Sequence, residues 1–536
     1  MKLNKFSSVI ISISVIGWFI IALFLFDAVS INAENDPEQV NVYKKLKLFN
    51  EVLFKLQENY VDDIDIDVLI DAAIKGMLDE TDPHTTYFTP DEFERFNTDT
   101  KGEFGGLGIS IDKKGEYITV VSPIEGTPAY NMGILSGDRI VKVDGENVVG
   151  ISTDEVIKKM RGEKGTKVLI GIERPGVEEE LKFEIIRDII KIESIPYAFK
   201  LDNGIGYIRI RQFNANTTKE LREKLDTLEE EGISGLLIDL RFNPGGLLRE
   251  AVDTVNEFIG KDKRVVFTKG KTPQANLEYK TRYNRIRNGY PVIVLINEAS
   301  ASAAEIFSGS LQDWDKGLVV GKTSFGKGSV QRLFPLSDGN GLKVTTAKYY
   351  INSGRCIHKD LNDMILKGED VSDEEIENAE EEHIKDVHYT ENGRIVYGGG
   401  GINPDIEIDQ KRLSDFEMEL RRNNSFFDFS IEYLLEEQDE IDVNFRTNDD
   451  IITDFMELIE KQGIEFEQAD LDSSYTWISN EIRNNVVSRK FGPVEGYKII
   501  IEEDAQLQEA LSLFDKFSNL QEMFEFAETL KLTQQN

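Results

Sequence analysis

Cysteine and histidine are scarce in this chain of 536 residues. The single cysteine, Cys356, cannot form an internal disulfide, so an oxidising compartment is neither required nor excluded. The four histidines lie at positions 84, 358, 383 and 388, which matches no common metal-ligand spacing such as HExxH. We therefore predict that the protein has no metal site and uses no cofactor.

Positive charge is also in short supply. The chain has 62 lysines and arginines against 98 aspartates and glutamates, a net charge of −36. Nucleic acids and anionic membrane surfaces bind basic faces, so this charge argues against both as partners. A hydrophobic content of 40% indicates packed cores rather than disorder, and the length suffices for three or more domains of ~150 residues.

A long apolar run stands near the N-terminus, over residues 9–26, behind Lys2 and Lys5. Its 18 residues are long for the core of a signal peptide and just long enough to span a bilayer. Residues 1–33 are therefore predicted to be an uncleaved signal anchor, with a signal peptide cleaved near Ala33 as the alternative. The two lysines keep the N-terminus in the cytoplasm. We expect an exported protein, periplasmic or otherwise extracytoplasmic, anchored to the inner membrane by this segment.

Four regions follow this segment. Residues 37–97 carry apolar residues at helical spacing, and residues 99–187 read as short strands with glycine turns and one short helix. Residues 188–410 alternate strands and helices, which predicts an α/β layered core. An insertion at about 359–390 is dense in Asp and Glu and is predicted to be a solvated helix or loop. Residues 411–536 show the apolar spacing of amphipathic helices, for which packing on the core is the default expectation.

Two short stretches of the α/β region place chemistry-bearing side chains at turns. Ser302, in NEASASAAEIF, lies between an apolar strand and a predicted helix, where the N–H groups of the helix start have no partner within the helix. Lys327, in TSFGKGSVQ, is flanked by glycines that allow it to enter a cleft. Serine becomes a strong nucleophile when a base takes its proton, and a lysine can be that base when burial favours its neutral form.

The residues alone leave other assignments open. Ser300 is a rival nucleophile in the same SAS sequence, and His358 is a rival base near the core. His84 lies in the turn DPHTTYF and would join a Ser-His-Asp arrangement only if folding brought it to Ser302. In the plainest alternative, Ser302 is a small packing residue and Lys327 a surface charge.

The turn NPGG joins a strand to a helix within residues 235–260. Gly245 and Gly246 permit close approach of the backbone, and N–H groups at such a turn can hold the oxyanion of an acyl-transfer intermediate. A tight strand-to-helix turn is the simpler interpretation, and the two are compatible. Which glycine would donate stays open.

The Ser302 and Lys327 stretches, with their separation, resemble those of the C-terminal processing peptidases, also called tail-specific proteases. The resemblance implies that Ser302 is the nucleophile, that Lys327 is its general base, and that Gln331 orients the lysine. It also selects the second serine of SAS over Ser300. Ala304 stands where many relatives have a third serine, a position that is not catalytic in the family.

The same resemblance implies the rest of the machinery. Gly245 or Gly246, together with Ala303, would form the oxyanion hole through backbone N–H groups. The core would share the fold of the crotonases and of the Clp proteolytic subunit, ClpP. A G-I-x-P-D-I stretch, GINPDIEI here, closes the family's core.

The order of strands in residues 99–187 resembles a PDZ domain. In PDZ domains a loop before a strand binds the terminal carboxylate of a peptide, and the peptide then adds to the sheet as an extra strand. The matching loop in this chain consists of Gly106, Leu107, Gly108 and Ile109. Carboxylate capture would select substrates by their C-terminal end.

Together these observations predict a multidomain α+β protein with an N-terminal helical region, a PDZ-like β domain, a ClpP/crotonase-like α/β protease core and a helical C-terminal region. The predicted function is that of a serine endopeptidase with a Ser/Lys dyad that takes protein or peptide C-termini as substrate. A catalytically inactive PDZ-containing scaffold is the main alternative, and a crotonase-like acyl-CoA enzyme is a third. An adaptor or a second copy of the chain is a further possible partner for the C-terminal helices.

Overall fold

The structure of the chain is a computed structural model that describes residues 37–287, 289–360, 386–437 and 441–534. The predicted signal segment 1–33 and most of the predicted acidic insertion lie outside these residues. Within the described ranges, no helix combines the length and apolar character needed to cross a membrane. The chain divides into two compact units between Glu80 and Thr81.

The first unit contains two helices, α1 (Pro37–Asn59) and α2 (Ile66–Asp79). The carboxylate of Asp65 accepts a hydrogen bond of 2.9 Å from the backbone of Asp67 and so caps the start of α2. The region 37–97, predicted to be helical, also contains a strand near its end. The second unit begins with a strand, β1 (Thr86–Phe88), before helix α3 (Pro90–Lys101).

The next segment is β-rich, as predicted. Its elements are β2 (Glu103–Gly106), β3 (Ile109–Lys114), β4 (Tyr117–Pro123), α4 (Pro128–Asn131), β5 (Arg139–Val143), β6 (Glu146–Asn147), α5 (Thr153–Met160), β7 (Lys167–Glu173), β8 (Leu181–Ile186) and β9 (Asp188–Lys191). One sheet has the order β3-β4-β5-β7-β8, with β6 paired to β5, so β3 is an edge strand. Strands β2 and β9 pair as a separate antiparallel ribbon. The apolar positions of the sheet and of α5 form a core of their own.

Residues 197–313 alternate strands and helices, and residues 318–407 contribute mainly strands in the described part of the chain. The elements are β10 (Tyr197–Lys200), β11 (Ile205–Arg209), α6 (Thr217–Glu230), β12 (Gly235–Asp239), α7 (Leu248–Ile259), β13 (Arg264–Gly270), β14 (Glu278–Lys280), β15 (Val292–Ile296), α8 (Ala303–Asp313), β16 (Leu318–Gly321), β17 (Ser329–Pro335), β18 (Gly341–Ile351), β19 (Val387–Tyr389), β20 (Ile395–Tyr397) and β21 (Ile406–Glu407).

A six-stranded sheet of order β10-β11-β12-β15-β16-β21 is the centre of this region. Strands β11, β12, β15, β16 and β21 run parallel, and β10 is antiparallel to β11. The central strands β12 and β15 are buried along their whole length. Their continuous apolar sequences follow from this burial, because both faces of the sheet are covered. The turns after β12, β15 and β16 therefore leave neighbouring strands at one edge of the sheet.

A second, antiparallel sheet lies in the same unit. Strands β1, β18, β13 and β14 pair in that order, and β17 pairs with β18. Thr86 of β1 stands opposite Lys343 of β18, so the residues just after Thr81 belong to this sheet rather than to the N-terminal helices. Strands β19 and β20 form a two-stranded hairpin.

The C-terminal region is helical, as predicted. Its helices are α9 (Asp415–Arg422), α10 (Ser425–Glu437), α11 (Asp449–Lys461), α12 (Gln468–Phe491), α13 (Pro493–Glu503), α14 (Ala505–Ser512) and α15 (Leu520–Gln534). Helices α9 to α12 bury a core of their own around Phe455 and Ile482. Leu507 and Leu511 of α14 instead pack against Tyr207 and Leu237 on the six-stranded sheet. This segment covers the sheet face opposite α6, α7 and α8.

Candidate active site

Three loops at the carboxyl edge of the six-stranded sheet carry the residues singled out from the sequence. We call them the glycine turn (240–247, after β12), the serine turn (297–302, after β15) and the lysine loop (322–328, after β16). Because these three parallel strands are neighbours, their loops emerge side by side. Ligands of open α/β sheets bind at this edge. Residues about 80 positions apart in the chain are thereby brought into one place.

Ser302 is held in a strained conformation at the end of the serine turn. Its φ is 55° and its ψ is −112°, a region that residues other than glycine seldom adopt. Helix α8 begins with the next residue, so the N–H groups of its first turn lie beside the serine. The N–H of Ala301 donates to the carbonyl of Asn243 at 2.9 Å, which fastens the serine turn to the glycine turn. Backbone strain of this kind is concentrated at functional sites.

Ser300 is placed quite differently from Ser302. It is fully buried, its hydroxyl donates to the carbonyl of Leu240 at 2.9 Å, and the same oxygen accepts the N–H of Asn297 at 2.9 Å. These bonds join the serine turn to the end of β12. The hydroxyl of Ser300 is thus part of the scaffold of the turn.

The glycine turn touches the serine directly. A side chain on Gly245 would lie 2.7 Å from Cβ of Ser302 and 2.8 Å from the nitrogen of Ala303. A side chain on Gly246 would lie 2.1 Å from the carbonyl oxygen of Phe213. Both residues also have positive φ, 98° and 140°, which favours glycine. The turn therefore needs both glycines for steric reasons.

The two glycines differ in their N–H groups. The N–H of Gly245 donates to Oδ1 of Asn243 at 2.8 Å and is therefore occupied. Among the described residues, no hydrogen bond takes the N–H of Gly246 or that of Ala303. Of the two glycines considered from the sequence, Gly246 is the one with a donor to offer.

The lysine loop is bound to the serine turn by a backbone hydrogen bond of 3.0 Å from Phe325 to Ser300 and by one carboxyl group. Glu305, fully buried in the first turn of α8, accepts the N–H of Ser302 at 2.6 Å and that of Lys327 at 2.9 Å on the same oxygen. The two backbone nitrogens are consequently no more than 5.5 Å apart. The hydroxyl of buried Tyr349 lies 3.1 Å from the carbonyl oxygen of Ser302 and 2.7 Å from that of Lys327. The structure thus brings the predicted serine and lysine segments together.

Gln331 lies at the start of β17, close to the lysine loop. Its amide nitrogen is 2.9 Å from the hydroxyl of Ser329 and 3.3 Å from that of Thr345. Thr345 in turn donates to Asp82 at 2.9 Å. These contacts hold the amide on the antiparallel sheet and leave its oxygen as the group able to accept a hydrogen bond from a lysine.

The two histidines considered as rival bases are engaged elsewhere. The ring of His358 lies 3.1 Å from the carboxylate of Asp360, and the backbone of this histidine packs against Gly328. His84 stands in a turn organised by Asp82, whose side chain accepts its N–H at 2.9 Å. No described contact joins either ring to Ser302.

The glycine loop of the β-rich segment precedes edge strand β3. The carbonyls of Leu107 and Gly108 accept hydrogen bonds from Ala129 and Ile124 at 3.0 and 2.8 Å. In the described part of the chain, the N–H groups of the same two residues have no partner. Gly108 has a φ of 79° and sits against Thr127. Gly106 ends β2, and Ile109 begins β3 beside helix α5.

The comparisons with known proteins agree with this arrangement. Residues 204–365 match the model of peptidase family S41, and residues 119–174 match that of the PDZ domain. The chain is 38% identical over 347 residues to the carboxy-terminal processing protease of Bartonella bacilliformis. The aligned region covers 64% of this chain and 79% of that protein. The chain belongs to peptidase family S41.

The relatives within this family carry a consistent name. The carboxy-terminal processing protease CtpA of Bacillus subtilis is 36% identical over 316 residues, covering 59% of this chain and 67% of that protein. The chain is thus a serine peptidase of the carboxy-terminal processing type with a PDZ domain, as predicted. A solved photosystem II D1 C-terminal processing protease is 27% identical and covers 66% of this chain and 86% of that one, with a TM-score of 0.35.

Sequence reasoning missed several residues of the site. Glu305 had a signal, because Ser302-x-x-Glu305 matches the spacing of a capping box. Tyr349 and Asn243 had none, since each acts on a loop that the chain reaches only after folding. Among the described residues no group of His, Cys, Asp and Glu side chains could hold a metal ion.

Proposed function

We propose that this S41 peptidase is an endopeptidase that cleaves peptide bonds with a Ser302/Lys327 dyad. In its neutral form Nζ of Lys327 takes the proton of the Ser302 hydroxyl as Oγ attacks the carbonyl carbon of the substrate. The attack gives a tetrahedral intermediate with a negatively charged oxygen. Lys327 then passes its proton to the leaving amine, and the acyl-enzyme forms. A water molecule, deprotonated by the same lysine, releases the acid product and restores Ser302.

Backbone N–H groups stabilise the negative oxygen in this proposal. Gly246 and Ala303 are the donors, because both N–H groups lack partners in the described structure; Ala303 follows Ser302 in the chain, and Gly246 follows Gly245, which touches Ser302. Gly245 contributes by its lack of a side chain, since its N–H is held by Asn243. Preorganised donors of this kind each contribute about 10²–10³-fold to acyl-transfer rates. The carbonyl oxygen of the Gln331 side chain accepts a hydrogen bond from Nζ of Lys327 and so orients the lysine.

The PDZ domain captures the C-terminal tail of the substrate. The N–H groups of Leu107 and Gly108 bind the terminal carboxylate, and Gly106 and Ile109 frame them. The tail then adds alongside edge strand β3, next to α5. Half-buried Ile109 and Ile111 on β3 pack against the core of this domain and favour an apolar tail.

The location of the enzyme is also a proposal. Residues 1–33 carry the enzyme out of the cytoplasm and anchor it to the inner membrane, with the catalytic unit on the periplasmic side. The apolar run 9–26 behind Lys2 and Lys5 supports this proposal. Proteolysis of intact and permeabilised cells, with detection of the catalytic unit, tests it. If the catalytic unit stays protected from the protease in cells whose outer membrane has been permeabilised, the proposed location is wrong.

The observation that supports the dyad best is the shared carboxyl oxygen that holds the Ser302 and Lys327 backbones within 5.5 Å. The test is cleavage of a peptide with a free apolar C-terminus by the full-length enzyme in mild detergent, followed by mass spectrometry. We expect Ser302→Ala and Lys327→Arg to lose activity by about 10⁴-fold or more, because arginine is not deprotonated at working pH. Substantial cleavage by Lys327→Arg would overturn the lysine as base.

Tail recognition is tested with a matched substrate. The same peptide with an amidated C-terminus lacks the carboxylate but keeps the scissile bond. We expect a higher KM for the amide with kcat little changed. Equal KM values would overturn carboxylate capture. Tight binding of the free acid without cleavage by the wild type would instead favour the scaffold alternative.

A further inference from the structure

Glu305 is a buried carboxyl group surrounded by neutral donors. Its Oε1 accepts the hydroxyl of Ser324 and the N–H of Gly326, both at 2.6 Å. Its Oε2 accepts the N–H groups of Ser302 and Lys327. The residue is fully buried in the first turn of α8. One side chain therefore holds four points on two loops, the nucleophile and the base among them.

These contacts fit the ionised form of the group. All four partners are hydrogen-bond donors, and a carboxylate accepts four such bonds with its two oxygens. Ser324 donates its hydroxyl to Oε1 of Glu305 while its own oxygen accepts the N–H of Ile402 at 2.7 Å. Protonation would remove the charge that strengthens these bonds, because hydrogen bonds to an ionised carboxylate are about twice as strong as those between neutral groups. Protonation should therefore loosen the link between the serine turn and the lysine loop.

The pKa of Glu305 lies near neutrality. Burial raises the pKa of Glu305 to about 7, against the four hydrogen bonds, which lower it. The titratable residues described around it are Tyr349 on β18, Lys327 on the lysine loop, and His358 and Lys359, which pack against Gly328 and Gly326 of that loop. Burial, and then the charge of Glu305, keep the pKa of Tyr349 well above its usual range, so that hydroxyl stays neutral.

We propose that Glu305 is a positioning residue whose ionised side chain sets the distance between Ser302 and Lys327, so that its protonation switches the peptidase towards an inactive geometry. This inference rests on the proposed dyad. It adds a second ionisation to the acid side of the pH profile, beside the one that makes Lys327 neutral. Both ionisations raise activity as pH increases. The acid limb of log kcat should then approach a slope of two.

The decisive variant is Glu305→Gln in the full-length enzyme. Glutamine has nearly the same shape but presents an NH₂ group to a pair of donors. We expect kcat to fall about 10²-fold with KM little changed, because small misplacements of catalytic groups cost rate rather than binding. The slope of the acid limb should fall to one, since one ionisation is gone. Glu305→Asp keeps the charge and should recover part of kcat.

A matched control separates positioning from general damage to the core. Glu257 on α7 is equally buried but pairs with Arg222, Arg285 and Arg287. Glu257→Gln should lower stability and leave the slope of the pH profile unchanged. The inference is wrong if Glu305→Gln keeps the wild-type slope, or if its kcat stays within about threefold of the wild type.

A readout that needs no activity separates this inference from the proposed function. In Ser302→Ala protein labelled with [¹⁵N]lysine and [¹⁵N]glycine, the amide signals of Lys327 and Gly326 should shift with a midpoint near pH 7, following Glu305. The shift should vanish when Glu305→Gln is added. A shift in this protein, combined with a wild type that cleaves no peptide, would refute the proposed dyad and keep the positioning role of Glu305. Amide signals that do not move between pH 5 and 9 would refute the positioning role of Glu305.

Discussion

Two buried carboxyl groups stand after neighbouring strands of the same sheet and have opposite surroundings. Asp239, at the end of β12, accepts hydrogen bonds from Arg209 at 2.9 Å and Arg241 at 2.8 Å. Glu305, after β15, accepts bonds from neutral groups alone among its described partners. Burial disfavours the charge of both, but the arginines outweigh it at Asp239, whose pKa falls to about 2. At Glu305 the neutral donors do not outweigh the effect of burial, and the pKa of this group rises to about 7.

The difference teaches how one sheet separates stability from chemistry. Arg241 also reaches Asp504 at 2.7 Å and Gln506 at 3.0 Å, so the Asp239 cluster fastens the C-terminal helices to the sheet. Its charges are compensated and do not respond to pH near neutrality. Glu305 has no described ion pair and joins the backbones of Ser302 and Lys327, the proposed nucleophile and base. A group that titrates near neutrality is useful at the position of Glu305, where it can affect the proposed chemistry. At the position of Asp239 it would weaken the attachment of the C-terminal helices.

The same change from carboxyl to amide should have opposite consequences at the two positions. Asp239→Asn leaves the charges of Arg209 and Arg241 without their buried counterion, and we expect it to cost about 3–5 kcal/mol of stability. Glu305→Gln removes a buried charge at neutral pH and should cost far less. Urea unfolding of both variants at pH 8 measures this. The comparison fails if Glu305→Gln is the more destabilised protein.

The pH dependence of stability should also differ in sign. Glu305 has a native pKa of about 7 against an ordinary value of 4.5, so the native state binds its proton more tightly. Its contribution is present below pH 4.5 and is lost as pH rises towards 7, about 3 kcal/mol in all. Asp239 has a lowered pKa, so its contribution is present above pH 3.8 and is lost as pH falls through about 2.

Urea unfolding of the wild type and both variants between pH 4.5 and 8 tests this difference. The stability of Glu305→Gln relative to the wild type should increase across the range. That of Asp239→Asn should stay constant. A constant difference for Glu305→Gln would mean that Glu305 does not titrate there.

The two serines of the serine turn extend the comparison to uncharged groups. Ser300→Ala removes a buried hydroxyl that bonds Leu240 and Asn297, and we expect a loss of about 1–2 kcal/mol of stability. Its kcat should stay within about tenfold of the wild type, because the hydroxyl touches no reacting atom. Ser302→Ala should show the reverse, with full stability and no cleavage. Thermal unfolding and peptide cleavage measured on both variants decide the matter.

The smallest expected effect concerns the backbone between the two carboxyl groups. Phe242 follows the Asp239 cluster and precedes the glycine turn with a φ of 59°, although its side chain is 55% exposed. Asparagine tolerates this conformation better than a bulky aromatic residue. Phe242→Asn should therefore raise stability by about 0.5–1 kcal/mol, seen as a higher Tm. A lower Tm would show that the aromatic ring contributes packing that outweighs the strain.

Local sequence features were sufficient for much of the fold and the site. The apolar runs of β12 and β15, the glycines around Lys327 and the turns of the PDZ domain are properties of short segments. The separation of Ser302 and Lys327 by one helix and one strand is equally a matter of chain order. These features predicted the fold class, the family and the candidate dyad.

The remaining features depend on contacts between distant segments. Pairing of β1 with β18 assigned the residues after Thr81 to the antiparallel sheet, and α14 covered a sheet face that no local pattern identifies.

What the sequence by itself determined about this protein is its set of elements and the side chains that can do chemistry. What only the tertiary structure decided, among the described residues, is which groups are occupied: the N–H of Gly245 and the hydroxyl of Ser300 have partners, and the described partners of Glu305 include no arginine. The physical reason is that an N–H, a hydroxyl or a charge is used up by whichever partner folding brings within about 3 Å. Chain order alone does not fix that partner.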